Sequence, residues 1–200
     1  MSDVILRNRV FQLAKYDTLE ATRVAERMSD PWYQCQAVAA IAAYSSSPEV
    51  EKALNRSFEI GLKCRDPFKR VASQAWPLSA AIKAGKSGKA LTRLFSVLGG
   101  VDAIKDVGSR AEALLLLQHA IMPIGRKAYT PIVSALLTNC KSVAHWRQTR
   151  AMLDGVLLVY SISRDDGNRL IKALDCDYVA DKIRRAIADG ALPRRRVFFP

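Results

Sequence analysis

An all-α fold is what this 200-residue sequence predicts, and three observations predict it. Helix-start signals recur from end to end, and apolar residues step by three and four. No sustained period-two alternation, and no hairpin dipeptide between β-branched runs, interrupts them.

The elements follow in order as about eleven helices, over 3–15, 18–29, 31–45, 48–64, 67–84, 88–99, 109–122, 127–139, 142–162, 167–175 and 177–189. Asp30-Pro31 and Asp66-Pro67 each place a capping carboxylate before a proline at the first helical position, where its missing N–H costs nothing. Ser47-Pro48 and Thr130-Pro131 read the same way. Ser109-x-x-Glu112 has capping-box spacing, and Asp177 stands before another periodic run. Gly85, Gly99-Gly100, Gly125 and Gly190 sit where helices end. Val50, Leu54, Phe58 and Leu62 step by four, as do Val179, Ile183 and Ile187, while Leu91, Leu94, Phe95 and Leu98 mark one face of a helix. Residues 111–117 are apolar nearly all round, which suits an enclosed helix. Pro77 is expected to kink the fifth helix. After the first, the helices pair as αα-hairpins.

Half the residues are apolar and a quarter are charged, which excludes disordered, collagenous and mucin-like classes. Cys35, Cys64, Cys140 and Cys176 form no C-x-x-C pair, and His119 and His145 are the sequence's two histidines, so neither a disulfide framework nor a zinc site is expected. No signal-peptide core can be drawn at the start, and the most apolar stretch, 113–124, is too short to span a membrane. A cytoplasmic chain without cofactor or metal is expected. No linker divides it, so residues 1–189 read as one domain and 190–200 as a basic tail that carries Phe198 and Phe199.

The second helices of successive hairpins, DPWYQCQAVAAIA at 30, DPFKRVASQAWPL at 66 and DVGSRAEALLLLQ at 106, share an Asp followed four residues later by Gln34, Arg70 or Arg110. Weaker copies begin near Ser142 and Asp177. These units resemble HEAT-like α-helical repeats, in which an inter-helix Asp-Pro precedes a basic second-helix start. The resemblance implies an α-solenoid of about five αα-hairpins with an extra N-terminal helix. In such a stack Asp30, Asp66, Arg70, Arg110 and Asp177 are expected to be structural, with the arginines bridging to the next unit.

Three motifs look chemical and fail on spacing. AGKSGKAL at 84–91 ends like a phosphate-binding loop, but Ala80 stands where its first glycine belongs and a helix pattern precedes it. Asp165-Asp166-Gly167-Asn168 lacks calcium-loop spacing and reads as a turn and helix start. His119 lies in an apolar helix, and no nucleophile elbow accompanies His145.

Charge remains. The net is +12, with +7 over residues 61–100 and +5 over 121–150. Lys86, Lys89 and Arg93 fall within about 60° of one another on a helix, opposite the leucine face, and read as a solvated basic stripe. Lys69 flanks the neighbouring turn. Arg147 and Arg150 lie three apart beside Trp146. These seven residues are the expected binding surface. The leading function is a non-enzymatic adaptor that grips an acidic protein partner. Nucleic-acid binding is the alternative, including an enzyme reading: alkylpurine DNA glycosylases have a HEAT-like fold that resembles this architecture, and that reading needs Asp154, on one helix with Trp146, Arg147 and Arg150, to face a basic groove. HEAT-like chromophore lyases have a more regular Asp-x-x-x-Val-Arg spacing than this chain.

Overall fold

The computed structural model describes residues 1–46, 48–140, 145–191, 193 and 196–200. It is all-α: among the described residues there are helices and no strands. The expected Ser47 cap and the repeat start near Ser142 lie outside the described residues. The chain forms two compact units, one of residues 1–101 with 197–200 and one of residues 102–196.

The first unit contains α1 (Asp3–Leu13), α2 (Thr18–Glu26), α3 (Pro31–Tyr44), α4 (Glu49–Leu62), α5 (Pro67–Ala72), α6 (Ala75–Lys83) and α7 (Ser87–Leu98). At its centre, α3 is buried continuously from Cys35 to Ala43 and packs against α1, α2, α4 and α6. Five of those nine residues are alanine, so neighbouring helices approach closely on every side. Val10, Val24, Leu54, Phe58, Leu78 and Leu94 complete the core. Buried polar groups are satisfied across helices: Ser57 donates to the Cys35 carbonyl (2.9 Å), Gln74 to that of Phe58 (3.3 Å), and Gln36 accepts from Arg7 (3.0 Å). Burial pushes the Cys35 thiol up to about 12 and keeps it protonated and unreactive.

The helix expected over 67–84 is two. The break falls at Ser73 and Gln74, because Pro77 has no N–H to offer the Ser73 carbonyl. Gly85 closes α6 at φ +73, and the following Lys86 N–H reaches back to the Ala81 carbonyl (2.7 Å), so the Gly-Lys-Ser sequence is a helix terminus. On α7 only Ala90 and Leu94 are buried; Phe95, expected on the core face, is 55% exposed.

Residues 197–200 belong to this unit. Phe198 is buried with its ring edge-to-face on Trp76 (5.4 Å, 90°), and Phe199 meets Phe11 the same way (6.3 Å, 82°).

The second unit contains α8 (Val107–Ile121), α9 (Arg126–Asn139), α10 (Trp146–Tyr160), α11 (Arg164–Lys172) and α12 (Asp177–Ala188). Enclosed as its all-round apolar stretch requires, α8 packs against α9 and α10, and α10 in turn contacts α11 and α12. Several expected starts move. Asp106, not Ser109, caps α8, accepting the Ser109 N–H (2.7 Å). Pro131 lies inside α9, where the Thr130 hydroxyl bonds the Arg126 carbonyl (2.8 Å). Ser163 caps α11, so Gly167 sits within the helix instead of opening it. Asp177 is the first residue of α12 and Cys176 its cap position, with no side-chain cap bond.

Candidate binding surface

The first turn of α10 builds a cluster from the residues upward. His145 has an extended backbone and caps the helix: its Nδ1 accepts the Arg147 N–H (3.2 Å), while its own N–H donates to Gln148 Oε1 (3.2 Å). Gln148 is buried and donates to the Asn139 carbonyl (2.9 Å), which anchors this turn to the end of α9. With the backbone held, the Trp146 ring projects outward and is 61% exposed. His145 stacks beside it (5.9 Å, 28°), and the guanidiniums of Arg147 and Arg150 lie 5.7 and 5.8 Å from the ring centre.

Two acids on α8 complete the cluster. Glu112 lies 3.9 Å from both Arg147 and Arg150, and Asp106 lies 3.9 Å from Arg147. Hydrogen bonds from the Ser109 hydroxyl and N–H, with the Arg147 charge adding to them, hold Asp106 below the usual carboxylate range. Gly108 allows the approach: a Cβ there would stand 2.9 Å from His145 Nδ1 and 3.1 Å from Arg147 Cδ. Sequence reasoning missed Gly108, Glu112 and Asp106 as members of the site. The available signal was an unexplained glycine in the first turn of an otherwise strong helix.

The 86/89/93 stripe is solvated only in part: Lys86 is exposed, while Lys89 and Arg93 are half-buried. Lys86 (3.7 Å) and Lys89 both pair with Glu51 on α4, and the Arg93 guanidinium covers the Phe58 ring at 5.2 Å. The Lys89 hydrogen bond is the main cause that lowers the Glu51 carboxyl. Because Ala90 and Leu94 alone are buried on α7, the helix turns its basic edge partly toward α4. Lys69 lies 3.7 Å from Asp30.

The structural set behaves differently from a bridging ladder. Asp30, Asp66 and Asp106 cap their helices through the N–H groups of Trp32 (2.9 Å), Lys69 (2.8 Å) and Ser109 (2.7 Å). Arg70 donates to the Cys64 (3.0 Å) and Arg65 (3.2 Å) carbonyls, and Arg110 twice to that of Ile104 (3.0 and 2.8 Å). Both arginines therefore fold back onto the turn before their own helix, satisfying carbonyls there instead of reaching a neighbouring unit.

Trp76 is buried and Trp32 half-buried, stacked on Phe68 (6.2 Å, 29°), so of the three tryptophans Trp146 is the one that stands open to solvent. His119 is half-buried, its Nδ1 facing the Arg196 N–H at 3.5 Å; burial, then the Arg196 charge, lowers its pKa to about 4. Asp154 is half-buried on α10. Among the described residues no group of three His, Cys, Asp or Glu could hold a metal ion, and no helix is long and apolar enough to cross a membrane.

Fold and site define an all-α protein with an exposed tryptophan framed by arginines and charge-balanced by two acids. No protein-family model matches the chain, and neither a curated protein nor a solved structure matches it.

Proposed function

We propose that this protein is a non-enzymatic adaptor, a HEAT-like α-solenoid of about five αα-hairpins with an extra N-terminal helix, that works in the cytoplasm by binding an acidic protein partner. The observation that carries the reading is Trp146: a large ring, 61% exposed, held between Arg147 and Arg150. Tryptophan and arginine are enriched among the few residues that dominate the energetics of protein interfaces, where a desolvated anchor is ringed by contacts that exclude water. Glu112 and Asp106 beside the two arginines reduce the pull of this patch on a uniform polyanion, which favours a folded or peptide partner whose acids can be placed individually. Asp30 and Glu51 similarly offset Lys69, Lys86 and Lys89.

One specific observation keeps nucleic-acid binding as the second reading. An exposed indole flanked by guanidiniums is also a surface on which a base can stack.

Fluorescence anisotropy separates the two. Labelled DNA and RNA, single- and double-stranded, and labelled Asp/Glu-rich peptides carrying one aromatic residue are titrated with the protein from about 50 to 200 mM salt. The adaptor reading expects peptide binding that weakens at least about tenfold in Trp146→Ala, the loss of one hot-spot side chain, with weak nucleic-acid binding. Tight nucleic-acid binding with a steep salt slope that shrinks in Arg150→Glu would replace it. Neither ligand class responding to Trp146→Ala would overturn both.

A further inference from the structure

Residues 197–200 touch the first unit in an unusual way. They form no regular helix, and they insert two adjacent rings into a row of aromatics contributed by four different helices. Phe199 meets Phe11 of α1, Phe198 meets Trp76 of α6, Trp76 meets Trp32 of α3 (5.5 Å, 73°), and Trp32 stacks on Phe68 of α5. Arg7 closes one end, its guanidinium 5.6 Å from the Phe11 ring and 5.4 Å from that of Tyr33, and is itself fixed to buried Gln36.

The flanks of the inserted pair remain in solvent. Val197 is 71% exposed, and Arg196 and Pro200 are exposed as well. Burial is thus concentrated in two consecutive side chains of an irregular segment, the pattern of a short linear motif in a groove and not of a core element locked by its own helix. Trp32, Tyr33 and Phe68 are only half-buried with the segment in place, so the row extends beyond what two rings cover. Rows of this kind bind extended segments through aromatic edge-to-face contacts and pockets for particular side chains.

We propose that the aromatic row of α1, α3, α5 and α6 is a binding groove for an extended segment with two adjacent aromatic residues. Residues 197–200 occupy it as an intramolecular ligand that shields it from a partner protein carrying the same motif. Tethering gives such a ligand an effective concentration of order millimolar, so an outside segment of equal affinity competes poorly until the resident one is displaced.

The test uses the full chain. A fluorescein-labelled peptide of residues 196–200, Arg-Val-Phe-Phe-Pro, is titrated against the wild type and against Phe198→Ala/Phe199→Ala, which vacates the groove. The vacated variant is expected to bind the peptide at least about tenfold more tightly than the wild type, consistent with millimolar tethering. Adding Trp76→Ala to that variant, or replacing both peptide phenylalanines by alanine, is expected to abolish binding. Equal affinity for wild type and vacated variant, or binding that survives loss of the peptide phenylalanines, would overturn the proposal. Loss of two rings could unfold the chain, so 5-fluorotryptophan labelling supplies a second reading on Phe199→Ala alone. Its ¹⁹F spectrum has one signal for each of the three tryptophans. The proposal expects excess peptide to shift the Trp32 or Trp76 signal and leave that of Trp146 in place; no shift in either groove signal overturns it. A wild type that sediments as a dimer and becomes monomeric in the double variant would also overturn the intramolecular arrangement, in favour of exchange between copies.

Discussion

Asp30 and Lys69 lie 3.7 Å apart, joining the cap of α3 to the first turn of α5. Asp106 and Arg147 repeat the relationship between α8 and α10 at 3.9 Å. In each pair one carboxylate caps its own helix and meets a cation at the start of a later one. The two roles of Asp30 separate by mutation. Asp30→Asn keeps the cap acceptor and removes the charge; a double-mutant cycle with Lys69→Met is expected to give a coupling of about 0.2–1 kcal/mol that fades with salt, since both groups are partly exposed. Asp30→Ala removes the cap as well and is expected to cost about 1 kcal/mol more in urea unfolding.

Asp66 caps α5 through the Lys69 N–H at 2.8 Å. Asp66→Ala is expected to lower stability by about 1 kcal/mol and Asp66→Asn by much less, because the amide oxygen still accepts that bond. Equal losses in the two variants would show that charge, not capping, is what this position contributes.

Stability should fall below neutral pH through His119. Its folded pKa is lowered from 6.5 to about 4 by burial and by Arg196, so the unfolded chain takes up a proton between those values while the folded chain does not. The contribution is fully present above pH 6.5 and is lost progressively as pH falls toward 4. A protonated Nδ1 would also cease to accept the Arg196 N–H. Denaturant midpoints at pH 7 and pH 5 are expected to differ more in the wild type than in His119→Gln.

Glycine-to-alanine changes within helices should split by position. A Cβ at Gly88 would meet nothing within 4 Å, so Gly88→Ala is expected to stabilise by about 0.5 kcal/mol. At Gly167 it would meet Tyr160 Cβ at 2.6 Å and Cα at 2.7 Å, and at Gly155 it would meet Gln118 Oε1 at 2.8 Å. Those two substitutions are expected to destabilise by about 1–3 kcal/mol, reversing the helix-propensity order. Thermal melts of the three variants decide it.

Trp146 and Phe58 make a matched contrast in aromatic removal. Trp146→Ala is expected to leave the unfolding midpoint within about 0.5 kcal/mol of wild type, because the ring is 61% exposed. Phe58→Ala, which empties a site 2% exposed in the α4 core, is expected to cost about 3–5 kcal/mol.

What the sequence determined by itself is what depends on neighbours a few residues away. Helix type, the Asp30 and Asp66 caps, a disturbance of the helix at Pro77, expected as a kink and found as a break, and the enclosure of 111–117 each follow from groups within about two turns of one another, so their spacing is legible in one dimension. The Ser109 cap failed because Asp106 stood within a turn of it and local spacing does not rank the two, while at Thr130 and Asp177 the helices start earlier, at Gly125 and Cys176 cap positions that make no side-chain cap bond. Tertiary structure alone decided where charge goes. Lys89 finds Glu51 across 38 positions and Arg147 finds Glu112 across 35, so a stripe that looks uniformly basic along the chain is partly neutralised in space. It also decided that the Phe198 ring is buried against Trp76, 122 positions earlier, while Trp146, equally aromatic in the sequence, stays in solvent. Burial is a property of which helices pack beside a residue, and periodicity reports only that a face exists, not what covers it.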